Sequence, residues 1–195
     1  AAVRFTNVPS FVWDTGVGVE TRAGTIACDV SYGGAFYASV AAGDVGLRVA
    51  KEDLPRLIEV GREIKQAIEG AHDVVHPDEP ELRGVYGVIF FEEAPADGHA
   101  LGQRNVTIFA DGEVDRSPCG SGTSARLALL DASGELRRGD TLRHESIVGS
   151  VFTARVSGET DGGVITEVEG SAYRTGAHEF FLDPADPVRT GFLLR

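Results

Sequence analysis

A chain of 195 residues, 42% apolar and 25% charged, has ordinary globular values and can fill a core without disulfide or metal staples. Its net charge of −12 works against a phosphate-backbone partner, because nucleic-acid binding needs a basic face. The two cysteines, Cys28 and Cys119, are too few and too far apart for a disulfide framework, and no apolar run approaches the roughly 18 residues of a membrane span.

The opening stretch AAVRFTNVPS carries no signal-peptide pattern, so the expected location is cytoplasmic. The sequence has no methionine and is read as a fragment or a processed product. VRFTNV and FVWDTGVGVET alternate loosely and predict strands. TIACDVSYGGAFYASVA is rich in strand formers and is broken at Gly33-Gly34 by an expected bend or bulge. Between Lys51 and Gly70, the residues Leu54, Leu57, Ile58, Ile64 and Ile68 fall at helical spacing. Asp53 and Pro55 supply a start signal and Gly70 a stop, so a surface helix is expected there.

AHDVVHPDEPEL reads as a polar loop, followed by strands in GVYGVIFFEE and RNVTIFA and a turn at Asp111-Gly112. A second helix is expected from Ser121, apolar on more than one side and therefore buried, with Gly134 just past its end. TLRHESIVGSVFTARV and GVITEVEGSAYR read as paired strands about Asp161-Gly162-Gly163. The tail predicts a short strand, a proline-rich turn and an apolar end whose Phe192, Leu193 and Leu194 need burial. The fold class is α+β, with many antiparallel strands and two main helices.

The stretch most informative about chemistry is DRSPCGSGTSAR. It sets Cys119 at the N-terminal end of the buried helix, with the N–H groups of Gly120, Ser121 and Gly122 pointing out of that end. Unpaired N–H groups and the helix dipole make an anion site and stabilise a thiolate. Asp115, four residues upstream, can hold a cation. A grip for a carboxylate, a grip for an ammonium and a thiol between them describe an amino-acid substrate, with the sulfur expected to face a cleft. The bland alternative, a buried small hydrophobe beside a tight turn, is outweighed by the Pro-Cys-Gly-Ser-Gly-Thr-Ser string. A cysteine phosphatase loop needs five residues between Cys and Arg, whereas six separate Cys119 from Arg126. A nucleotide P-loop and a G-x-S-x-G elbow are both missing.

This stretch resembles the second cysteine motif of the proline racemase family, which includes hydroxyproline 2-epimerases and trans-3-hydroxyproline dehydratases. NVPSFV, DVSYGGAFYA, HESIVGSVF and LDPADPVRTGFLLR are similar as well. The resemblance implies a diaminopimelate-epimerase-like fold of two α/β halves, each curling a mostly antiparallel sheet around a central buried helix, with the active site between them. It implies that Cys119 is a catalytic thiol, Asp115 holds the substrate amine, Gly120 and Ser121 donate to its carboxylate, and Phe109 lines the proline pocket. Residues 1–175 are then expected to form the second half-domain, with residues 1–10 as a possible linker, and residues 176–195 a tail returning to a first half-domain outside this sequence.

The family's first cysteine motif, Met-Cys-Gly-His-Gly, does not occur in these residues, and Cys28, in a strand, is no substitute. The expected activity is therefore a two-thiol racemase or epimerase of proline or a hydroxyproline. This chain would supply one thiol, need no cofactor and no metal, and be inactive alone. A trans-3-hydroxyproline dehydratase and an inactive amino-acid-binding fragment are the alternatives. Hydroxyproline epimerases tend to carry a histidine near the position of Gly84, which tilts the substrate toward proline or 3-hydroxyproline. Dehydratases of eukaryotic type tend to have threonine where Cys119 stands. Related enzymes are often dimers, so a homodimer is a further expectation. The polar loop bearing His72, Asp73, His76, Asp78 and Glu79 lacks metal-ligand spacing, and His144 reads as a hydrogen-bonding residue beside the site.

Overall fold

A computed structural model describes residues 1–22 and 24–192. The strands are β1 (Ala2–Thr6), β2 (Phe11–Thr21), β3 (Gly24–Tyr32), β4 (Phe36–Ala41), β5 (Val85–Glu93), β6 (Leu101–Phe109), β7 (Glu113–Val114), β8 (Leu142–Ser146), β9 (Val151–Thr160) and β10 (Gly163–Ser171). The helices are α1 (Leu54–Ala71) and α2 (Gly120–Ser133), with a short 3₁₀ turn at Ala42–Val45. All ten strands form one mixed sheet in the order β1-β10-β9-β8-β6-β5-β4-β3-β2, with β7 beside β6. The β4–β5 and β6–β8 pairs are parallel, and the other ladders are antiparallel.

The central strands carry a helix on each face. Along β5, Val88 and Phe90 join the core under α1, whereas Ile89 points to the other side and packs with Cys119 and Ala125. A strand covered on both faces reads as a continuous apolar run, which is why GVYGVIFFEE shows no alternation. α2 lies against β2, β3, β9 and β10, and so touches strands from both ends of the sheet order. Ser10 also exchanges backbone hydrogen bonds with Val164 of β10 just before β2 begins, joining the β1–β2 segment to the far side. Leu127 and Leu130 of α2 are fully buried with Leu142, Ala154 and Val168, each worth about 1.5–3 kcal/mol over an exposed position.

Several expectations need correction. Of the expected bend or bulge at Gly33-Gly34, the bend forms, as a tight turn between two antiparallel strands. It is a turn because Gly33 abuts α2: a Cβ there would lie 2.3 Å from the Ser121 carbonyl oxygen. The surface helix begins at Leu54 and runs past Gly70 to Ala71, with His72 at its end. Asp53 precedes the helix without capping it, since its carboxylate accepts the Arg48 N–H at 2.8 Å instead. TLRHESIVGSVFTARV is split by a turn at 147–150 into β8 and β9. Beyond Ser171 no strand forms among the described residues, and Tyr173, Phe180, Phe181 and Phe192 are exposed. Leu193 and Leu194 lie outside the described residues. No helix among the described residues is long and apolar enough to cross a membrane.

Candidate active site around Cys119

α2 starts at Gly120, one residue before the expected Ser121, and is buried from Gly122 to Leu130. Gly134 closes it in the left-handed conformation, φ 75°, with its N–H on the Asp131 carbonyl. Two side-chain hydrogen bonds tie it to the sheet, and a third runs along the helix itself. Ser31 Oγ of β3 donates to the Ala125 carbonyl at 2.9 Å, Thr166 Oγ1 of β10 donates to Ser124 Oγ at 2.8 Å, and Ser124 Oγ donates to the Gly120 carbonyl at 3.1 Å.

Cys119 is the N-cap, and its sulfur does the capping. The Gly122 N–H donates to Sγ at 3.4 Å, so this amide is engaged by the sulfur and does not point outward as expected. The N–H groups of Gly120 and Ser121 find no protein acceptor among the described residues. Cys119 has φ 65° and ψ 117°, a backbone region that a non-glycine residue enters at a cost of about 1–3 kcal/mol. Cys119 is only 8% exposed, packed among Tyr37, Ile89 and Ala125. Within this chain it is thus a nearly covered thiol and not one facing an open cleft.

Tyr37, which sequence reasoning missed, stands directly against the thiol. Its hydroxyl is 2.7 Å from Ser121 Oγ and 3.6 Å from Cys119 Sγ, with Ser121 Oγ 3.8 Å from the sulfur. Burial, then the neighbouring sulfur, holds the Tyr37 phenol protonated well above the usual phenol range, so it remains a donor. Tyr86 meets the Tyr37 ring edge-on at 5.8 Å, and Phe109 stacks on Tyr86 at 5.6 Å. Phe109 therefore connects to the sulfur through two intervening rings. No periodicity could have marked Tyr37, because β4 is buried at five consecutive positions.

Asp115 is half-buried and is tied to the Cys119 backbone by a short relay. The Cys119 N–H donates to Ser117 Oγ at 3.1 Å, and Ser117 donates to Asp115 Oδ1 through its hydroxyl at 2.9 Å and its N–H at 2.8 Å. The Phe5 ring of β1 rests over Gly120, close enough that a Cβ there would touch it at 3.0 Å. Gly84, φ 77°, precedes β5 and lines a cavity of about 340 Å³ with Gly34, Ala35 and Tyr86.

The remaining candidates have other engagements. Cys28 is buried in β3, where its thiol donates to the Val17 carbonyl at 3.4 Å. Burial, then Asp29, pushes it up to about 11. His76 Nδ1 accepts the N–H groups of Asp78 and Glu79 at 3.2 Å, and Asp73 pairs with Arg83. Burial pulls the Arg126 guanidinium down to about 10; it lies over the Phe91 ring and donates to Gln103 Oε1 at 3.1 Å.

Comparison with known proteins accords with this geometry. Residues 1–193 match the sequence profile of the family described as proline racemase. This chain belongs to the proline racemase family. It is 48% identical over 198 residues to a 3-hydroxyproline 2-epimerase of Burkholderia multivorans, with 99% of this chain and 58% of the relative covered. It is 47% identical over 198 residues to a trans-3-hydroxy-L-proline dehydratase of Azospirillum brasilense, with the same coverage of 99% and 58%. Among solved structures it is similar to a hydroxyproline epimerase from Agrobacterium vitis with bound trans-4-OH-L-proline. The TM-score is 0.89 at 39% identity, covering 99% of this chain and 56% of that one. The proline racemase match thus spans nearly all of this chain but just over half the length of those relatives.

Proposed function

We propose that this chain is the Cys119-bearing part of a cofactor-independent isomerase that moves the α-proton of a proline-class amino acid. The observation that carries this reading is the sulfur on the first turn of α2, bonded to the Gly122 N–H beside the unengaged amides of Gly120 and Ser121. The Cys119 thiolate takes the α-proton, so a Cα–H bond breaks and an S–H bond forms. The electron pair spreads into the substrate carboxylate, held by the Gly120 and Ser121 N–H groups, whose grip tightens as charge grows. A second acid on the opposite face, supplied from outside this chain, returns a proton to Cα and inverts the centre. Asp115 holds the ring ammonium, and Phe109 belongs to the aromatic wall of the pocket.

The names of the relatives favour a 3-hydroxyproline, and the missing side chain at Gly84 agrees with that choice. A second reading, dehydration of trans-3-hydroxyproline, is favoured by the relatives named as dehydratases. It begins with the same proton abstraction and then loses the 3-hydroxyl as water. A cysteine at position 119 weights the balance toward epimerisation.

In this proposal residues 1–175 form one half-domain whose sheet curls around α2. Residues 176–195 pack on a first half-domain that lies outside this chain, which would cover the exposed Phe180 and Phe181 rings. The working protein is cytoplasmic and a homodimer. The test is to incubate the whole protein in D₂O with proline, trans-3-hydroxyproline and trans-4-hydroxyproline. Deuterium at Cα with an inverted centre is expected for a 3-hydroxyproline. Loss of water without an epimer selects the dehydratase reading. Turnover by the 195-residue chain alone would refute the two-part site.

A further inference from the structure

Behind the thiol, one backbone oxygen gathers an unusual set of partners. The Pro118 carbonyl accepts Asn105 Nδ2 of β6 at 2.9 Å and Thr123 Oγ1 of α2 at 3.2 Å. Since the Thr123 hydroxyl proton is used there, its oxygen receives the ring N–H at His144 Nδ1 of β8, 2.9 Å away. Asn105, Thr123 and His144 are all fully buried. Their arrangement also leaves Asn105 Oδ1 and His144 Nε2 without protein partners. Such buried orphans are destabilising, so apolar residues would serve stability better at these positions. Pro118 immediately precedes Cys119, whose positive φ is held against its own preference.

We propose that Asn105, Thr123 and neutral His144 are positioning residues that clamp the Pro118 carbonyl, fix the strained Cys119 backbone and so keep its sulfur on the Gly122 N–H. The clamp sets the peptide plane on the N-terminal side of Cys119. The Thr123 N–H, bonded to the Cys119 carbonyl at 2.8 Å, sets the plane on the other side. With both planes fixed, the sulfur has one place to go. A loosened clamp lets Cys119 relax toward negative φ, carries Sγ off the amide, and takes away the N–H that the sulfur accepts. Complete burial, then the nearby Arg126 charge, keeps His144 neutral, which the clamp requires, because its Nε2 has no partner for a proton.

This inference rests on Cys119 being the reactive thiol, and the experiment separates the two. The whole protein is treated with iodoacetamide from pH 6 to pH 10, and labelling of the tryptic peptide Ser117–Arg126 is followed by mass spectrometry. The readout is the ratio of the rate at pH 7 to the plateau rate at high pH, which reports thiolate fraction and cancels changes in access. His144→Gln moves the ring's donor out of place, while His144→Asn keeps a donor where Nδ1 stands. Thr123→Val removes the hydroxyl and Thr123→Ser retains it. The ratio should fall about tenfold in His144→Gln and Thr123→Val and stay within about twofold of wild type in His144→Asn and Thr123→Ser. An unchanged ratio in folded His144→Gln overturns the inference, as does an equal fall in His144→Gln and His144→Asn. A wild-type peptide that takes no label at any pH overturns the reading of Cys119 itself, and the clamp with it.

Discussion

The molecule holds two buried cysteines, and the contrast between them separates a packing thiol from a prepared one. Cys28 is 2% exposed and Cys119 8%, so burial alone does not distinguish them. Polarity of surroundings does. Cys28 acts as a donor to the Val17 carbonyl, within a strand of ordinary conformation, and desolvation pushes it up to about 11. Cys119 receives a donor, the Gly122 N–H, stands beside a second in Tyr37, and occupies a strained backbone fixed on both sides. Cys28 is set to give its proton to a carbonyl, whereas the Cys119 sulfur is set to accept from an amide.

The widest gap between them should appear in reactivity. At pH 8, alkylation of the Cys119 peptide should outrun that of the Cys28 peptide by roughly a hundredfold, since Cys28 is protonated there. Comparable labelling of the two under native conditions would erase the distinction.

A second way to break the contrast is to push the α2 terminus out of place. Gly33→Ala sets a Cβ against the Ser121 carbonyl and the Ala125 N–H of α2, both backbone atoms that cannot step aside. Unfolding free energy should drop by about 3 kcal/mol in denaturant melts. Little change would mean that the β3–β4 turn does not brace the helix.

The third test uses pH. His144 is pushed down from 6.5 to about 3 by burial and then by Arg126. Below pH 6.5 the unfolded chain binds this proton and the folded chain does not, so stability present above pH 6.5 is lost as pH falls toward 3. The contribution is about 1.4 kcal/mol per pH unit, or about 2 kcal/mol between pH 6.5 and pH 5. His144→Asn should remove that part of the slope. An unaltered slope would place the titration elsewhere. The smallest effect is expected at the other thiol: Cys28→Ser in the whole protein should leave turnover within about twofold, and a large loss would give Cys28 a role the contrast denies it.

Much of the Cys119 end was legible because it is written locally. Proline and cysteine ahead of a helix that opens on three small residues and is apolar on more than one side fix both the helix start and its burial. Gly134 marked the end for the same local reason, its left-handed φ. Tyr37 was not legible, since β4 is covered on both faces and one polar atom in a buried run leaves no period to detect. The clamp was hidden more deeply. Asn105, Thr123 and His144 come from three separate elements, and they converge on a carbonyl oxygen, which no residue letter reports. At Gly33 the letters left bend and bulge open, because what decides between them, the backbone of α2, lies about 90 positions further along the chain. Asp53 had the letter of a helix cap but gave its carboxylate to Arg48.

The central claim is that the sulfur at position 119 carries the α-proton. Its most direct test is solvent deuterium exchange into the α-position of 3-hydroxyproline by the whole protein, wild type against Cys119→Ser. The account predicts exchange in the wild type and a loss of about 10³-fold in the variant, with the fold intact by circular dichroism. Exchange that persists at the wild-type rate in Cys119→Ser would contradict it.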